Sequence, residues 1–399
     1  MQPLLLLCHR IPFPPNKGDK IRSYNMLKFL SKYYQVHLGA FIDDSDDFQY
    51  ESTVADMCTS HCLLPLDPKF AKLRSLSGFI KGTPLGLPYY ANSKMQSWVD
   101  TVIAENELAG ALVFSSTMAQ YLAGNRYARL KRCIDFIDID SDKWAQYKNK
   151  ASPIMKLVYG YEARMLFAWE KRIAHEFDCS FFVSEKESEL FKKMVPGIPE
   201  KISYFNNGVD TDYFSPEHSL ESPYPDACNA IVFTGAMNYW ANVDAVVWFA
   251  NEVLPAICEK VNDVKFYIVG FKPDEKVKAL AASPYIEVTG AVDDVRPYLA
   301  HASVAVAPMR IARGVQNKVL EAMAMAIPAV TTPQGYEGIN AVRERDLIVA
   351  DGVNDWVDTL VNLCTKNSYA SMGQSARNLV VADYSWQSSL MRLKHRLDD

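Results

Sequence analysis

The fold of this 399-residue chain is decided by the stretch Val304-Ala-Val-Ala-Pro-Met-Arg310-Ile-Ala-Arg313-Gly-Val-Gln-Asn317-Lys318-Val-Leu-Glu321-Ala-Met-Ala, which continues as Ile327-Pro-Ala-Val-Thr-Thr-Pro-Gln-Gly335-Tyr-Glu-Gly338. It predicts a short apolar strand, a cationic loop that contains glycine, a helix that begins between Gly314 and Asn317, and a second strand with another glycine-rich loop. The free N–H groups and the positive dipole end of that helix attract anions. With Arg310, Arg313 and Lys318 nearby, they predict a site for a phosphorylated ligand.

Outward from this stretch, apolar strands alternate with helical periods in both halves of the chain. Leu4–Cys8 and Val36–Phe41 flank a helix in the first half, and Ala230–Phe233 and Lys265–Val269 flank one in the second. Such β–α–β alternation is typical of a parallel sheet with helices on both faces, and the length favours more than one domain. The predicted fold class is α/β, with two Rossmann-like doubly wound domains that face each other across a cleft and bind ligands at the carboxyl ends of their strands.

Composition limits the classes of protein. Hydrophobic residues make up 49% and charged residues 22% of the chain, as in a soluble globular protein. The Leu4–Leu7 run is too short for a membrane span or a signal sequence, which favours a cytoplasmic protein. The eight cysteines are scattered, as expected for reduced thiols, and Cys58-Thr-Ser-His61-Cys62 has no second ligand pair at zinc spacing. Nothing indicates a nucleic-acid partner.

The net charge of −5 is unevenly distributed. Through Asp210 the chain holds 26 Lys and Arg against 24 Asp and Glu, and the remainder holds 16 against 23. A mildly basic N-terminal half suits an anionic acceptor or membrane surface, although ordinary solvated faces need no partner.

The segment Lys69–Lys81 mixes basic and large apolar residues on a helical period. One interpretation is an interfacial helix on anionic lipid. The other is a surface helix whose apolar stripe faces its own core. Gly78 and Gly82 weaken the helix and favour the second interpretation.

Single glycines end several predicted strands. They are Gly18, Gly235, Gly270, Gly290 and Gly314. Each alone is ordinary turn geometry, but together they leave room for a ligand that approaches the backbone closely. The chain has no Walker A loop, no G-x-G-x-x-G after a strand and no G-x-S-x-G, so the kinase-type, dinucleotide-binding and α/β-hydrolase classes lack their signatures.

Glu321 lies one turn into the predicted helix, three residues after Lys318. A carboxylate there can accept two hydrogen bonds from vicinal hydroxyl groups such as those of ribose. The alternatives are a carboxylate that complements the helix dipole and a plain Lys–Glu salt bridge.

The acidic run Asp135-Phe-Ile-Asp138-Ile-Asp140-Ser-Asp142 follows another strand. As a calcium loop it fails, because Lys143 and Asn149 occupy the positions that need Gly and Glu. Helix capping remains an alternative, and we favour an acceptor-side role for Asp138 and Asp140 without a metal.

The sequence resembles glycosyltransferase family 4, whose members have the GT-B fold. The resemblance rests on Lys318-Val-Leu-Glu321-Ala-Met-Ala with Gly335-Tyr-Glu-Gly338, on Asn207-Gly-Val-Asp210, on Phe233-Thr-Gly-Ala-Met-Asn238 and on Tyr384-Ser-Trp386. More narrowly, Asp19-Lys20-Ile-Arg22, Asp138-Ile-Asp140 and Arg313-Gly-Val-Gln-Asn-Lys resemble the exosortase A (PEP-CTERM) associated sugar transferases.

This resemblance implies a retaining, metal-independent hexosyltransferase that uses a UDP- or GDP-linked sugar and no other cofactor. Its acceptor would be a glycan or lipid-linked molecule in exopolysaccharide synthesis, at the inner face of the cytoplasmic membrane and in peripheral contact with anionic lipid. Cationic side chains and helix-terminal amides would stabilise the departing diphosphate. The leaving phosphate would itself take the proton of the acceptor.

The resemblance also implies a division of labour along the chain. Residues 1–208 would form an acceptor-binding domain, residues 209–383 a donor-binding domain, and residues 384–399 a helix that returns to the first domain. The catalytic residues would be Lys318, Arg313 and Asp138. The donor-binding residues would be Glu321, Gly314, Val315, Asn317, Gly235, Asn238 and Gly18. The acceptor-side residues would be Asp19, Lys20, Arg22 and Asp140.

The sequence departs from the family at two places. Where many members carry the first of two glutamates, this chain has Arg313, and Asn238 and Asn242 stand in the region where many have an arginine and a lysine. Two other functions therefore remain open: a non-hydrolysing sugar-nucleotide epimerase on the same fold, and a degenerate nucleotide-binding scaffold protein.

Overall fold

The computed structural model describes residues 1–150, 152–312, 315–365 and 370–399. The chain divides into two compact units. The first comprises Met1–Asn207 together with Ser389–Asp399, and the second comprises Gly208–Ser388.

The first unit is built on a parallel sheet in the spatial order β3-β2-β1-β4-β5-β6-β7. Its strands are β1 Gln2–Cys8, β2 Tyr34–Ile42, β3 Ser60–Pro65, β4 Gly110–Phe114, β5 Arg132–Ile137, β6 Cys179–Phe182 and β7 Ile202–Tyr204. Its helices are α1 Gly18–Leu30, α2 Glu51–Ala55, α3 Pro68–Ser75, α4 Ser77–Lys81, α5 Gly86–Tyr90, α6 Ser93–Glu105, α7 Asp140–Lys150, α8 Pro153–Glu176 and α9 Glu185–Met194. Short 3₁₀ turns occupy Ser45–Tyr50, Ser116–Tyr121, Asn125–Tyr127 and Pro199–Lys201.

The second unit repeats this plan in the order β10-β9-β8-β11-β12-β13, again with parallel neighbours. Its strands are β8 Asn229–Thr234, β9 Val264–Val269, β10 Ile286–Gly290, β11 Val304–Ala307, β12 Ala329–Thr331 and β13 Ile348–Val349. Its helices are α10 Trp240–Trp248, α11 Leu254–Cys258, α12 Glu275–Leu280, α13 Arg296–Ala300, α14 Asn317–Ala324, α15 Pro333–Tyr336, α16 Val353–Thr365 and α17 Ala370–Leu379. The last helix, α18 Trp386–Asp398, begins in the second unit and belongs to the first unit from Ser389 on. Single π turns at Phe249–Val253 and Val380–Tyr384 follow α10 and α17.

Both sheets have the strand order of a Rossmann fold, in which later strands are added on the opposite side of the first strand, so that the strand order reverses there. The reversal lies between β1 and β4 in one unit and between β8 and β11 in the other. Continuous apolar runs such as Leu4–Cys8 form the central strands, because helices cover both faces of a parallel sheet. The predicted α/β class with two Rossmann-like domains is confirmed.

The segment that enters the second unit is hydrogen-bonded to the segment that leaves it, and the two form a seam. The N–H of Val209 donates to the carbonyl of Tyr384 at 2.7 Å, and the N–H of Trp386 donates back to Val209 at 3.3 Å. A Cβ on Gly208 would lie 2.4 Å from the Trp386 nitrogen, so only glycine fits there. Beyond this seam, the last residues of α18 belong to the first unit. Asp398 accepts a hydrogen bond from the Tyr34 hydroxyl at 2.5 Å, and Arg396 donates to the Glu200 carbonyl at 2.8 Å.

Two buried ion pairs fix helix α1 in the first unit. Lys20 donates to Asp47 at 2.5 Å, and Arg22 donates to Asp135 from Nε at 2.7 Å and from a terminal nitrogen at 3.2 Å. Lys20 and Arg22 are each 1% exposed, and Asp135 is fully buried. A buried charge is tolerated only when it is paired and hydrogen-bonded, so these residues hold α1 against the rest of the unit.

The guanidinium of Arg22 is further satisfied by the carbonyl of Phe205 at 3.1 Å and the side-chain oxygen of Asn207 at 2.9 Å. Its Cζ also lies 3.7 Å from the centre of the Phe205 ring. Burial raises the pKa of Asp135, and Arg22 opposes that rise. The arginine therefore ties the start of the chain to the last residues before Gly208.

Within the described residues, no helix is both long and apolar enough to span a bilayer.

Removal of the Arg22 charge should destabilise the protein strongly. We expect Arg22→Leu to lower the free energy of unfolding by about 3–5 kcal/mol, because Asp135 would remain buried without its partner. Urea unfolding followed by circular dichroism measures this loss. Lys32→Ala, at an exposed position just after α1, should change stability by less than about 0.5 kcal/mol.

The double variant Arg22→Leu/Asp135→Leu distinguishes an unpaired charge from a packing defect. It should recover much of the stability that the single variant loses, because a buried pair replaced by apolar groups is often nearly neutral. Equal stability of Arg22→Leu and Lys32→Ala would contradict the buried-pair account.

Candidate functional site

Two glycine loops meet at the carboxyl edge of the second unit's sheet. Gly235 follows β8 and Gly270 follows β9. A Cβ on Gly270 would lie 1.6 Å from the carbonyl oxygen of Gly235, and the N–H of Gly235 donates to Val269 at 3.0 Å. The two loops therefore approach each other more closely than any residue with a side chain would allow at Gly270.

Lys318 extends from the first turn of α14 towards this pair of loops. Its ammonium donates to the Oδ1 atom of Asn242 at 3.1 Å and lies 5.2 Å from the centre of the Phe233 ring. A Cβ on Gly235 would lie 3.5 Å from Cε of Lys318. The lysine is thus held against the end of β8 by the hydrogen bond to Asn242, a weak hydrogen bond to the Met309 sulfur at 4.0 Å and a cation–π contact.

Burial changes the ionisation of both charged groups on α14. It lowers the pKa of Lys318 to about 8, and the Glu321 carboxylate opposes that shift. Burial also raises the pKa of Glu321 to about 6. Among the described residues, no side chain donates a hydrogen bond to the Glu321 carboxylate, so its oxygens remain available as acceptors. Strong perturbation by burial at the end of a strand is typical of functional sites.

The helix start adds positive potential at the same place. Helix α14 begins at Asn317, as the sequence predicts, and the side chain of Gln316 makes no capping hydrogen bond. The first turn of a helix has N–H groups without intrahelical partners and the positive end of the helix dipole, both of which attract anions. Val315 is half-buried there and Asn317 is exposed.

The remaining donor-side predictions have different outcomes. Arg313 and Gly314 lie outside the described residues. Arg310, which the sequence suggests as a further cation for the ligand, instead forms a two-pronged ion pair with Asp244 of α10. Asn238 is exposed after the Gly235 loop.

Asn242 is a further residue of this site, and it is not among those predicted from the sequence. Its Nδ2 group donates to the carbonyl of Ala236 at 2.9 Å while its Oδ1 atom accepts from Lys318. One buried amide thus fixes both the loop after β8 and the lysine. Only its place in the region of the usual Arg and Lys could have indicated this role.

In the first unit, Asp19 belongs to a charged network at the end of β1. It accepts hydrogen bonds from His9 Nε2 at 3.2 Å and from Arg10 at 3.0 Å, and Arg10 also donates to Asp43 at 2.8 Å. Although burial alone would raise it, the pKa of Asp19 is held well below its usual range by His9 and Arg10. Gly18 is exposed at the start of α1, and a Cβ there would meet no described atom within 4 Å.

Lys20 and Arg22 do not lie on an open acceptor surface, because both are buried in ion pairs with Asp47 and Asp135. Both side chains therefore stabilise the fold, and neither is accessible to the acceptor that the sequence predicted for them. The spacing of Asp19, Lys20 and Arg22 in the sequence could not reveal this, since the partners lie 27 and 113 residues away.

Asp138 and Asp140 lie together at the end of β5. Lys143 donates to Asp138 at 2.6 Å and to Asp140 at 3.5 Å, and burial raises the pKa of Asp140. The preceding residue Ile137 has φ +72°, which is unfavourable for a β-branched side chain. Within the described ranges, no three His, Cys, Asp or Glu side chains lie close enough to hold a metal ion.

A second strained residue lies on the neighbouring strand. Ser115, directly after β4, has φ +83°. His9 stacks on Phe114 with ring centres 5.6 Å apart, and its Nδ1 atom is buried without a partner among the described residues. Strain at two adjacent strand ends beside an unsatisfied imidazole is typical of a binding site.

Residues 228–366 match the family model described as "Glycosyl transferases group 1". That span covers the second unit from β8 through α16 and includes the Gly235 loop, Lys318 and Glu321.

Solved structures match the chain along its whole length. Anabaena HepE, crystallised in complex with UDP and glucose, is 12% identical and aligns over 100% of this chain and 99% of its own with a TM-score of 0.62. Sucrose-phosphate synthase from Thermosynechococcus elongatus is 14% identical and aligns over 99% and 98% with a TM-score of 0.62. The fold is GT-B.

A curated relative matches most of the sequence. An uncharacterised 44.6 kDa protein in the cps region of Klebsiella pneumoniae is 22% identical over 374 residues, which cover 88% of each chain. Together with the domain match and the fold, this supports a glycosyltransferase with the GT-B fold.

The Lys318 ammonium should cost stability at neutral pH. Its pKa in the folded protein is about 8, below the 10.5 of the unfolded chain. Below pH 8 both states are protonated, and the folded state bears the full burial penalty. As pH rises from 8 to 10.5 the folded lysine is already neutral, so stability rises.

We therefore expect Lys318→Met to raise the free energy of unfolding at pH 7 by roughly 1–3 kcal/mol, with the gain disappearing near pH 10.5. Urea titrations of both proteins between pH 7 and pH 10.5 measure the difference. A gain that does not change with pH would show that the lysine carries no ionisation penalty.

Proposed function

We propose that the protein is a retaining glycosyltransferase of family 4 that transfers a hexose from a UDP- or GDP-linked sugar. Within the family it is most similar to the exosortase A associated sugar transferases. The observation that supports this most strongly is the buried Lys318 ammonium against the Gly235 loop, at the head of a helix that also carries Glu321. The Anabaena HepE complex with UDP and glucose on the same fold supports a nucleotide-sugar donor.

The diphosphate of the donor would lie between Lys318 and the first turn of α14. Because the pKa of Lys318 is about 8, the ammonium is mostly protonated at neutral pH, and a diphosphate beside it would stabilise the charged form further. A partly desolvated cation interacts with developing negative charge more strongly than one in water. Arg313 is proposed as a second cation, and Gly314 as a point of close backbone approach.

Glu321 would bind the ribose of the donor. It lies three residues after Lys318 on the same face of α14, and its carboxylate accepts no hydrogen bond from a described side chain. Burial raises its pKa to about 6, so it is ionised at neutral pH. Two vicinal hydroxyl groups can satisfy it at once.

The reaction would proceed without a metal cofactor, since Lys318, Arg313 and the helix-terminal N–H groups would neutralise the leaving diphosphate. The bond between the anomeric carbon and the phosphate oxygen would break while the acceptor hydroxyl attacks from the same face. The departing phosphate oxygen would accept the hydroxyl proton. This balances without a protein nucleophile and retains the anomeric configuration.

The first unit would bind the acceptor. Asp138, with its neighbour Asp140, lies beside the strained end of β5, and Asp19 lies at the end of β1. His9, with its unpartnered buried nitrogen, is a further candidate for an acceptor hydroxyl. The relative in the cps region supports a role in polysaccharide synthesis. The acceptor would be a glycan or lipid-linked molecule at the cytoplasmic face of an anionic membrane.

A donor panel tests the proposed reaction directly. We expect one UDP- or GDP-sugar to raise the melting temperature, because ligand binding stabilises the folded state by mass action. The same nucleotide sugar should be slowly hydrolysed, with full activity in excess EDTA. An epimerised nucleotide sugar formed without acceptor, or binding without turnover across the panel, would contradict the proposal.

Substitutions in α14 test the assignment of its residues. Lys318→Ala should lower kcat/KM by about 10²–10³-fold, through lost stabilisation of the leaving group. Glu321→Gln should weaken donor binding by about tenfold or more, because it removes charge-assisted hydrogen bonds. The control is Lys276→Ala, an exposed lysine on α12 of the same unit, which should have wild-type kinetics. A fully active Lys318→Ala enzyme would exclude the site.

A further inference from the structure

The helical segment from Pro68 to Lys81 presents an unusual surface in the first unit. Helices α3 and α4 join through Leu76, whose φ of −60° and ψ of −24° continue the helical path. The two helices are referred to below as the α3–α4 segment. It is capped at its start by Asp67, which accepts from the N–H of Lys69 at 2.8 Å.

The small residues of the segment pack against the rest of the first unit. Ala71 is 2% exposed and Gly78 is buried, and a Cβ on Gly78 would lie 3.0 Å from the carbonyl of Thr83. The large apolar side chains project outward instead, with exposed fractions of 73% for Phe70, 67% for Leu73 and 89% for Ile80. Our sequence-based preference for a stripe facing the core is therefore wrong. Only small residues fit the close packing, and the apolar stripe lies on the opposite face.

Specific contacts hold the segment in this orientation. The Tyr161 hydroxyl of α8 donates to the carbonyl of Gly78 at 2.8 Å, and the ring centres of Tyr161 and Phe79 are 4.7 Å apart. Arg74 donates to the carbonyl of Tyr89 at 2.5 Å. The exposed apolar side chains therefore lie on helices that these contacts hold in place.

A further exposed apolar side chain lies on α8, the helix that contacts the segment. Leu157 lies one turn before Tyr161 and is 77% exposed, and the adjacent Lys156 is also exposed. Several large apolar side chains exposed on one segment mark an interaction site.

Within the α3–α4 segment itself, every charged side chain is basic. Between Pro68 and Val99 the sequence contains no Asp or Glu and five basic residues. They are Lys69, Lys72, Arg74, Lys81 and Lys94. The first four are exposed on or directly beside the apolar side chains.

This charge pattern decides between two occupants. A second copy of the chain docked through the same surface would place basic residues against basic residues, since a two-fold contact pairs one patch with itself. An anionic bilayer instead accepts apolar side chains below its headgroups and attracts lysines at its surface. Large apolar residues flanked by Lys and Arg match the bilayer.

We propose that the α3–α4 segment is a membrane-docking surface that inserts Phe70, Leu73 and Ile80 into an anionic lipid bilayer. Lys69, Lys72 and Lys81 would contact the headgroups while the apolar side chains enter the boundary of the acyl chains. The inference deepens the proposed function by naming the surface that would bring the first unit to a lipid-linked acceptor. Its test does not depend on transfer activity.

Vesicle flotation with the full-length protein tests the proposal. The wild type should float with vesicles of phosphatidylcholine and phosphatidylglycerol and remain below vesicles of phosphatidylcholine alone. The variant Leu73→Glu/Ile80→Glu should lose at least about tenfold in affinity, because it replaces two inserting side chains with anions. The control is Leu190→Glu on α9, an exposed leucine of the same unit outside the surface, which should float as the wild type does.

Neutralisation of the basic residues measures the electrostatic contribution to membrane binding separately from the apolar one. Lys69→Gln/Lys72→Gln/Lys81→Gln should weaken binding by about fivefold for each lysine, and added salt should have the same effect on the wild type. Equal binding to neutral and anionic vesicles would overturn the choice of an anionic surface.

Two further outcomes would overturn the docking surface itself. One is equal flotation of the wild type and Leu73→Glu/Ile80→Glu. The other is a lipid-free dimer in sedimentation that the same double variant abolishes, which would assign the surface to a second copy. Both substituted positions are exposed, so the variant should keep the wild-type circular dichroism spectrum. It should also keep its thermal stabilisation by the donor, which separates failed docking from a failed function.

Discussion

The close approach of the Gly235 and Gly270 loops is the constraint on which the second unit's site depends. With the two backbones almost in contact, the side chains of Asn242 and Lys318 both pack against Gly235 at the end of β8. Asn242 then fixes the loop and the lysine with the two ends of one amide. The lysine is consequently desolvated, and its pKa falls to about 8. A chain that maximised stability would not place a cation there, so its presence favours a role in binding.

The two units share a strand order but distribute charge differently at the carboxyl edges of their sheets. In the first unit the charges are largely paired within the protein, through Asp19 with His9 and Arg10 and through Asp138 with Lys143. In the second, the Lys318 cation and the Glu321 carboxylate remain without a salt bridge among the described residues. A highly charged diphosphate suits the second arrangement. A neutral hydroxyl acceptor suits the first, where hydrogen-bonding groups are needed and net charge is not.

The sequence predicted features that depend on local pattern. Apolar runs and their spacing indicated the parallel sheets, and the start of α14 at Asn317 followed from the loop before it. The predictions that failed concern residues whose partners are distant in the sequence. The family resemblance implied acceptor contacts for Lys20 and Arg22, yet Asp47 and Asp135 neutralise them from 27 and 113 residues away. The acidic run after β5 suggested either a ligand site or helix capping, and Asp140 and Asp142 lie in the first turn of α7.

The orientation of the α3–α4 segment shows a further limit of periodicity. A helical period of apolar residues reports that one face is apolar but not whether that face meets protein or solvent. Here the deciding residues are the small ones, since Ala71 and Gly78 lie opposite the apolar stripe and alone fit the close packing against the unit. Large side chains on that inner face would have required the helix to stand further away. Gly78, which weakens an isolated helix, thus acts in the opposite sense in the folded chain, because it permits the contact that turns the apolar face outward.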